Sequence, residues 1–102
     1  MSISYQAKDS QILAEQLKVQ EICLKHGNPL LVVSGADIIV DIKEELDSVV
    51  MCLFKDDSTE TIVPVAQADL VIQNGAGTNT AIKIVGVATA ANDVIVLKYA
   101  VK

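Results

Sequence analysis

Arginine and tryptophan are both missing from this chain of 102 residues, and histidine occurs once. Phosphate recognition takes clustered basic side chains, whereas here eight lysines are scattered singly through a chain of formal net charge −5. That combination excludes nucleic acid as an expected partner. Tyr5, Phe54 and Tyr99 are the only aromatic residues. Without more rings there is no platform for stacked bases, nor for the apolar faces of sugars. Long hydrophobic runs are missing as well: the longest, such as Val49 to Phe54, fall far short of the roughly 20 residues a membrane helix needs, so no membrane partner is expected. The N-terminal MSISYQAKDSQ has no basic stretch followed by an apolar one. This is the pattern of a protein made and folded in a cytoplasm rather than exported by a signal peptide.

Cysteine is scarce too. Cys23 and Cys52 form no CxxC or Cys/His ligand spacing, and each sits in apolar sequence, EICLK and VMCLF. A cysteine so placed behaves as a small hydrophobe, and both are expected as reduced, buried thiols. The alternative is a disulfide joining the N-terminal segment to the central strand.

Nor is there a set of residues that carries chemistry. His26, in KHGNP, has no neighbouring nucleophile and is expected as a cation at the C-terminal end of a helix. Asn74-Gly75-Ala76-Gly77 lacks the GxGxxG spacing, and no Lys-Ser/Thr pair follows it, so it reads as a turn rather than a phosphate loop. Asp56, Asp57 and Glu60 share one loop without the EF-hand pattern, and are expected as a solvated hairpin tip rather than a calcium site. No catalytic, cofactor-binding or metal-binding residue is assigned, no cofactor or small-molecule substrate is expected, and the protein is not expected to be an enzyme.

What the chain has in quantity is strand-forming sequence. ADLVIQ (68–73), TAIKIVGV (80–87) and NDVIVLKYAV (92–101) are separated by breaks rich in Asn, Gly and Asp, the signal of two successive hairpins. Alternation predicts that Ile95, Leu97, Tyr99 and Val101 face a core, with Ile82, Ile84, Leu70 and Ile72 beside them. Upstream, LLVV (30–33) and ADIIVDIK (36–43) read as strands, with Ile38, Val40 and Ile42 facing in. LDSVVMCLFKDD is apolar on both faces, Val49/Met51/Leu53 and Val50/Cys52/Phe54, and belongs inside a sheet, with Val49, Met51 and Leu53 expected in the core. ETIVPVAQ is an edge strand, because Pro64 has no N–H to give a ladder. Asp precedes an Ile/Val/Leu run at Asp37, Asp69 and Asp93, where a carboxylate accepts local backbone hydrogen bonds at a strand start. The segment Asp9–Lys25 has helix-forming composition and a cap at Asp9 or Ser10, with an extended arm as its rival. The expected fold is therefore mainly β: an antiparallel two-sheet β-sandwich of about seven short strands in residues 30–102, preceded by a helix or extended arm in residues 1–29.

From Gly35 onward the chain resembles the small β-sandwich virion proteins of tailed bacteriophages, above all capsid decoration (cement) proteins. The resemblance lies in ADIIVDI, the VVMCLF strand, AIKIVGVATAANDVIVLKYAV and an ending within the final strand. It implies a structural protein that binds and stabilises a phage head, with itself as one partner, in a homo-oligomer such as a trimer, and the major capsid protein as the other. Its place would be the virion. A tail, neck or baseplate component and a small cellular binding or adhesion module are the alternatives. A domain of this size has one core, yet the outward strand positions are unusually apolar. Val50, Phe54, Val71, Val85, Val94 and Val96 are accordingly the expected interaction face.

Overall fold

The computed structural model describes residues 18–102. Eight strands occur in the order β1 (Lys18–Lys25), β2 (Leu31–Ser34), β3 (Asp37–Asp41), β4 (Leu46–Asp56), β5 (Thr61–Pro64), β6 (Leu70–Gln73), β7 (Ala81–Ile84) and β8 (Val94–Val101), with a one-turn 3-10 helix, Gln67–Asp69, before β6. They make two four-stranded antiparallel sheets, ordered β1-β8-β4-β5 and β2-β3-β7-β6. The two pack face to face as a β-sandwich.

The interior forms where the alternation of β8 meets that of β3 and β7. Ile95, Leu97, Tyr99 and Val101 line the inner face of the first sheet, and Ile38, Val40, Ile82 and Ile84 line that of the second. Leu70 and Ile72 are half-buried against this cluster, while Leu24, Leu31 and Leu46 complete it. Hairpins join β2 to β3, β4 to β5 and β6 to β7. In the first of these Gly35 takes the positive φ of 61° that a two-residue turn asks for.

Three expectations are corrected. The C-terminal half of the expected helix, Lys18–Lys25, is strand β1, paired along its length with β8 from Lys18↔Val101 to Lys25↔Val94; Asp9–Leu17 lies outside the described residues. Helix-forming composition is worth only tenths of a kcal/mol per residue, and it yields here to a neighbour that leaves Gln20, Ile22 and Leu24 on the core side. His26 is consequently at no helix end: its N–H donates to the Asp93 carbonyl (2.8 Å) and its Nδ1 shares a hydrogen bond with Thr89 Oγ1 (2.8 Å). Second, the break after β7 is no hairpin, because both edges of β7 are already taken by β3 and β6. The chain instead crosses to the first sheet.

The third correction concerns β4. Cys52, not Met51, points into the core, and Leu53 lies on the outer face beside Val96. The register against β8 slips twice, between Leu46 and Ser48 and again between Val49 and Met51. Each slip inserts one residue and flips the faces, so Leu46, Val49 and Cys52 all look inward. Gln67 secures the second bulge, its Nε2 donating to the carbonyls of Val49 (2.9 Å) and Val50 (3.4 Å).

The aspartates at strand starts reach further than local turns. Asp93 is buried, and its carboxylate accepts the N–H groups of Ala90 and Asp57, both at 2.8 Å. Asp37 accepts Gly86 N–H at 2.8 Å, and Asp69 contributes its main-chain carbonyl to Val85 N–H. These ties hold the β7–β8 crossover to both sheets.

The bulges make β4 separable by mutation. Leu97→Ala, at the centre of the core, is expected to cost about 2 to 5 kcal/mol. Met51→Ala is expected to stay within about 0.5 kcal/mol, and Gln67→Ala to cost roughly 1 kcal/mol through the uncovered bulge carbonyls. Denaturant titration of the three variants checks this; a Met51 loss as large as that at Leu97 would show that the bulge is not there.

Candidate interaction surface

Cross-strand partners share a face, so the registers fix what the first sheet shows to the outside. Cys23, Val96, Leu53 and Pro64 form a row across all four strands. The row beside it reads Lys25, Val94, Lys55 and Ile62, and the one on the other side Glu21, Lys98 and Met51. An apolar band therefore crosses the sheet, with Ile62 (63% exposed) and Met51 (37%) among its open members. Its charges are three lysines and one glutamate, a local excess of positive charge on a protein of net −5. Scattered exposed apolar side chains are ordinary, but a continuous band rimmed by charge is the form of a docking surface.

The outer face of the second sheet is narrower. Val32, Ile39, Lys83 and Val71 form its central row, and Lys83 Nζ lies 3.6 Å from Asp37 Oδ2. The loop between β6 and β7 folds over one end of this face: Asp41 accepts the N–H groups of Ala76 (2.8 Å) and Lys43 (3.1 Å). Gly75 allows this close approach, since a Cβ there would stand 2.7 Å from the Asp41 carboxylate and push it aside.

The six residues expected as one interaction face are distributed over the molecule. Val94 and Val96 are half-buried on the outer face of the first sheet, and Val50, the extra residue of a bulge, is exposed at 45%. Val71 is on the outer face of the second sheet. Phe54 shares the side of Ile95, and with Val85 it reaches the open end of the sandwich. Cys23, Leu53, Met51, Ile62 and Pro64 complete the band on the first sheet and were not legible as a set. Their signal existed only in the pairing.

Comparison with protein-family models, with curated proteins and with solved structures gave no significant match.

At the open end, two adjoining clefts of about 410 and 380 Å³ share Phe54, Gly86 and Val87 as a wall. Asp56 and Asp57 stand on the rim of the larger one. Ser58 donates both its hydroxyl (2.7 Å) and its N–H (2.9 Å) to Asp56, and the hydroxyl bond above all holds that carboxyl below its ordinary range. Asp93, which also lines the larger cleft, has both carboxylate oxygens taken by backbone donors. Among the described residues no group of three or more His, Cys, Asp or Glu is placed to hold a metal ion, and no helix is long and apolar enough to cross a membrane.

The two cysteines are free thiols on opposite faces of one sheet with β8 between them, so a bridge joining them is sterically barred. The expectation that both are buried is corrected for Cys23, which is exposed; strand geometry turns it outward while Leu24 turns in. Cys52 is enclosed, and burial pushes its thiol from 9.0 up to about 11. In native protein one thiol, Cys23, is expected to react promptly with a thiol reagent, and the second only on denaturation. Because the folded pKa of Cys52 is the raised one, its contribution to stability is complete below pH 9 and fades as pH climbs from 9 to 11. Stability curves across that window should fall by an amount of order 2 kcal/mol that Cys52→Ala removes; an unchanged slope in the variant would assign the effect elsewhere.

Proposed function

We propose that this is a non-enzymatic structural protein that associates with copies of itself and docks on a larger assembly, as a capsid decoration protein of a tailed phage does. The supporting observation is the apolar band Cys23–Val96–Leu53–Pro64 across the outer face of the first sheet, exposed at Cys23 and Pro64 and half-buried at Val96 and Leu53. A sandwich of this size buries its core between two sheets, and a third apolar layer on the outside has no role in an isolated domain. Exposed to water it carries a cost, and burial against a partner returns roughly 25 cal/mol per Å² before association entropy is subtracted. The lysines around the band select a partner with an acidic rim.

The likeness of the sequence to cement proteins supplies the context. On a shell with many equivalent positions, a small oligomer binds through several weak contacts at once, and the sum is strong without any single strong contact. The activity in this reading is reinforcement of the shell, with the major capsid protein as partner and the virion as location. A tail, neck or baseplate component uses the same band on a different partner.

Light scattering on the purified protein, followed by its addition to phage capsids assembled without it, tests the proposal. Binding that raises the heat resistance of the capsids is expected, and Met51→Glu, on the exposed band, should weaken binding at least tenfold with its melting temperature unchanged. A protein that leaves capsids unbound and no more heat-resistant sinks the decoration role.

A further inference from the structure

Sheet edges, unlike faces, are specific in register, and one edge here is open. Of the four edge strands, β2, β5 and β6 have four residues each, and β5 ends on Pro64, whereas β1 has eight. Short strands and proline are the devices that keep an edge from recruiting another chain. Among the described residues β1 has no neighbour on its far side.

The direction of its free groups follows from one bond. The His26 main-chain N–H donates to the carbonyl of Asp93, one step beyond the last ladder pair, Lys25↔Val94, in the same register. Because donors and acceptors alternate along an antiparallel strand, even-numbered residues of β1 address β8. Val19, Glu21, Cys23 and Lys25 therefore offer their N–H and C=O groups outward.

We propose that β1 pairs antiparallel with β1 of a second copy about a two-fold axis at Cys23, joining the two first sheets into one continuous sheet. This rests on the self-association in the reading above and names the contact responsible. Only registers that oppose odd with odd positions complete the ladder, which places the axis on a residue of Glu21–Lys25; at Leu24 it would face Cys23 to Lys25 and Glu21 to Gly27, leaving the charges unmatched, and at Lys25 it would oppose that ammonium to itself. An axis at Glu21 opposes that carboxylate to itself. With the axis at Ile22, Glu21 faces Cys23 and Lys25 faces Val19, so no charge is matched. At Cys23 the sequence EICLK becomes self-complementary: Glu21 opposes Lys25 twice, Ile22 opposes Leu24 twice, and Cys23 opposes its own copy. The Glu–Lys pairs and Cys23 lie on the outer face. The Ile–Leu pairs lie on the inner face, where they extend the core across the axis. The contact is isologous, as a two-fold dimer requires.

The exposed thiols report the register. In a hydrogen-bonded antiparallel pair the opposed Cα atoms are about 5.5 Å apart, inside the range a disulfide spans. Mild oxidation with copper-phenanthroline in air, which takes two electrons and two protons from the thiol pair, is expected to give a Cys23–Cys23 cross-link at twice the chain mass. Cys23→Ser should abolish it. Charge reversal supplies the second arm. Lys25→Glu places carboxylates opposite each other twice and should raise the dimer dissociation constant about tenfold; within one copy Lys25 faces only Val94, so folding is left intact. The double variant Glu21→Lys/Lys25→Glu re-creates both pairs in the same register and should restore the dimer. An oligomer that survives Lys25→Glu, or that yields no cross-link, overturns the edge contact and leaves self-association standing. A double variant that stays dissociated overturns the register, and a monomeric wild type overturns the contact and the self-association together. Capsid binding, scored separately, bears on neither the edge nor its register.

Discussion

Strand β8 is held on both edges and on its inner face, and the rest of the molecule depends on that. Its eight residues pair with all of β1 on one side and, through two bulges, with β4 on the other. Ile95 and Leu97 are wholly removed from water, and Tyr99 and Val101 nearly so. Opposite them Ile38, Val40, Ile82 and Ile84 close the core. Each buried aliphatic of this size contributes about 1.5 to 3 kcal/mol, and their strict alternation permits one register only, since a slip of one residue would turn the whole set outward.

That constraint propagates to the surface. With β8 fixed, every outward residue of β1, β4 and β5 is assigned a cross-strand neighbour, and the apolar band and its lysine rim follow. The bulges in β4 are part of the same accommodation. They bring Leu46, Val49 and Cys52 to the inside of a strand whose two faces are both apolar, and a side chain from outside the sheet, Gln67, covers the carbonyls the second bulge leaves free. The buried carboxylate of Asp93 does the equivalent for the β7–β8 crossover.

In the proposed assembly edges and faces divide the work of association. Three edges are short, one of them ending in proline, so the proposed pairing with another chain falls to β1, and the outer face of the first sheet is left for a different partner. A strand ladder discriminates by register and charge; an apolar band discriminates weakly and gains by repetition. In the proposed assembly one small sandwich presents two surfaces of different selectivity, the β1 edge for its own copy and the outer face for an acidic-rimmed partner.

The strands, the two-sheet class and the inward sets of β3, β7 and β8 were legible in the sequence, because alternation and turn residues act over a few neighbours and leave a local trace. Pro64 likewise announced its edge. Tertiary structure decided the rest. Lys18–Lys25 is a strand because β8 has an edge to fill, and nothing local distinguishes that from a helix of moderate propensity. The crossover after β7 follows from the occupancy of both β7 edges, and the inward turn of Cys52 from bulges whose signature is a slipped register rather than any residue type. The band of Cys23, Val96, Leu53 and Pro64 draws one member from each of four strands distant in sequence, so only the pairing of those strands could bring it into existence.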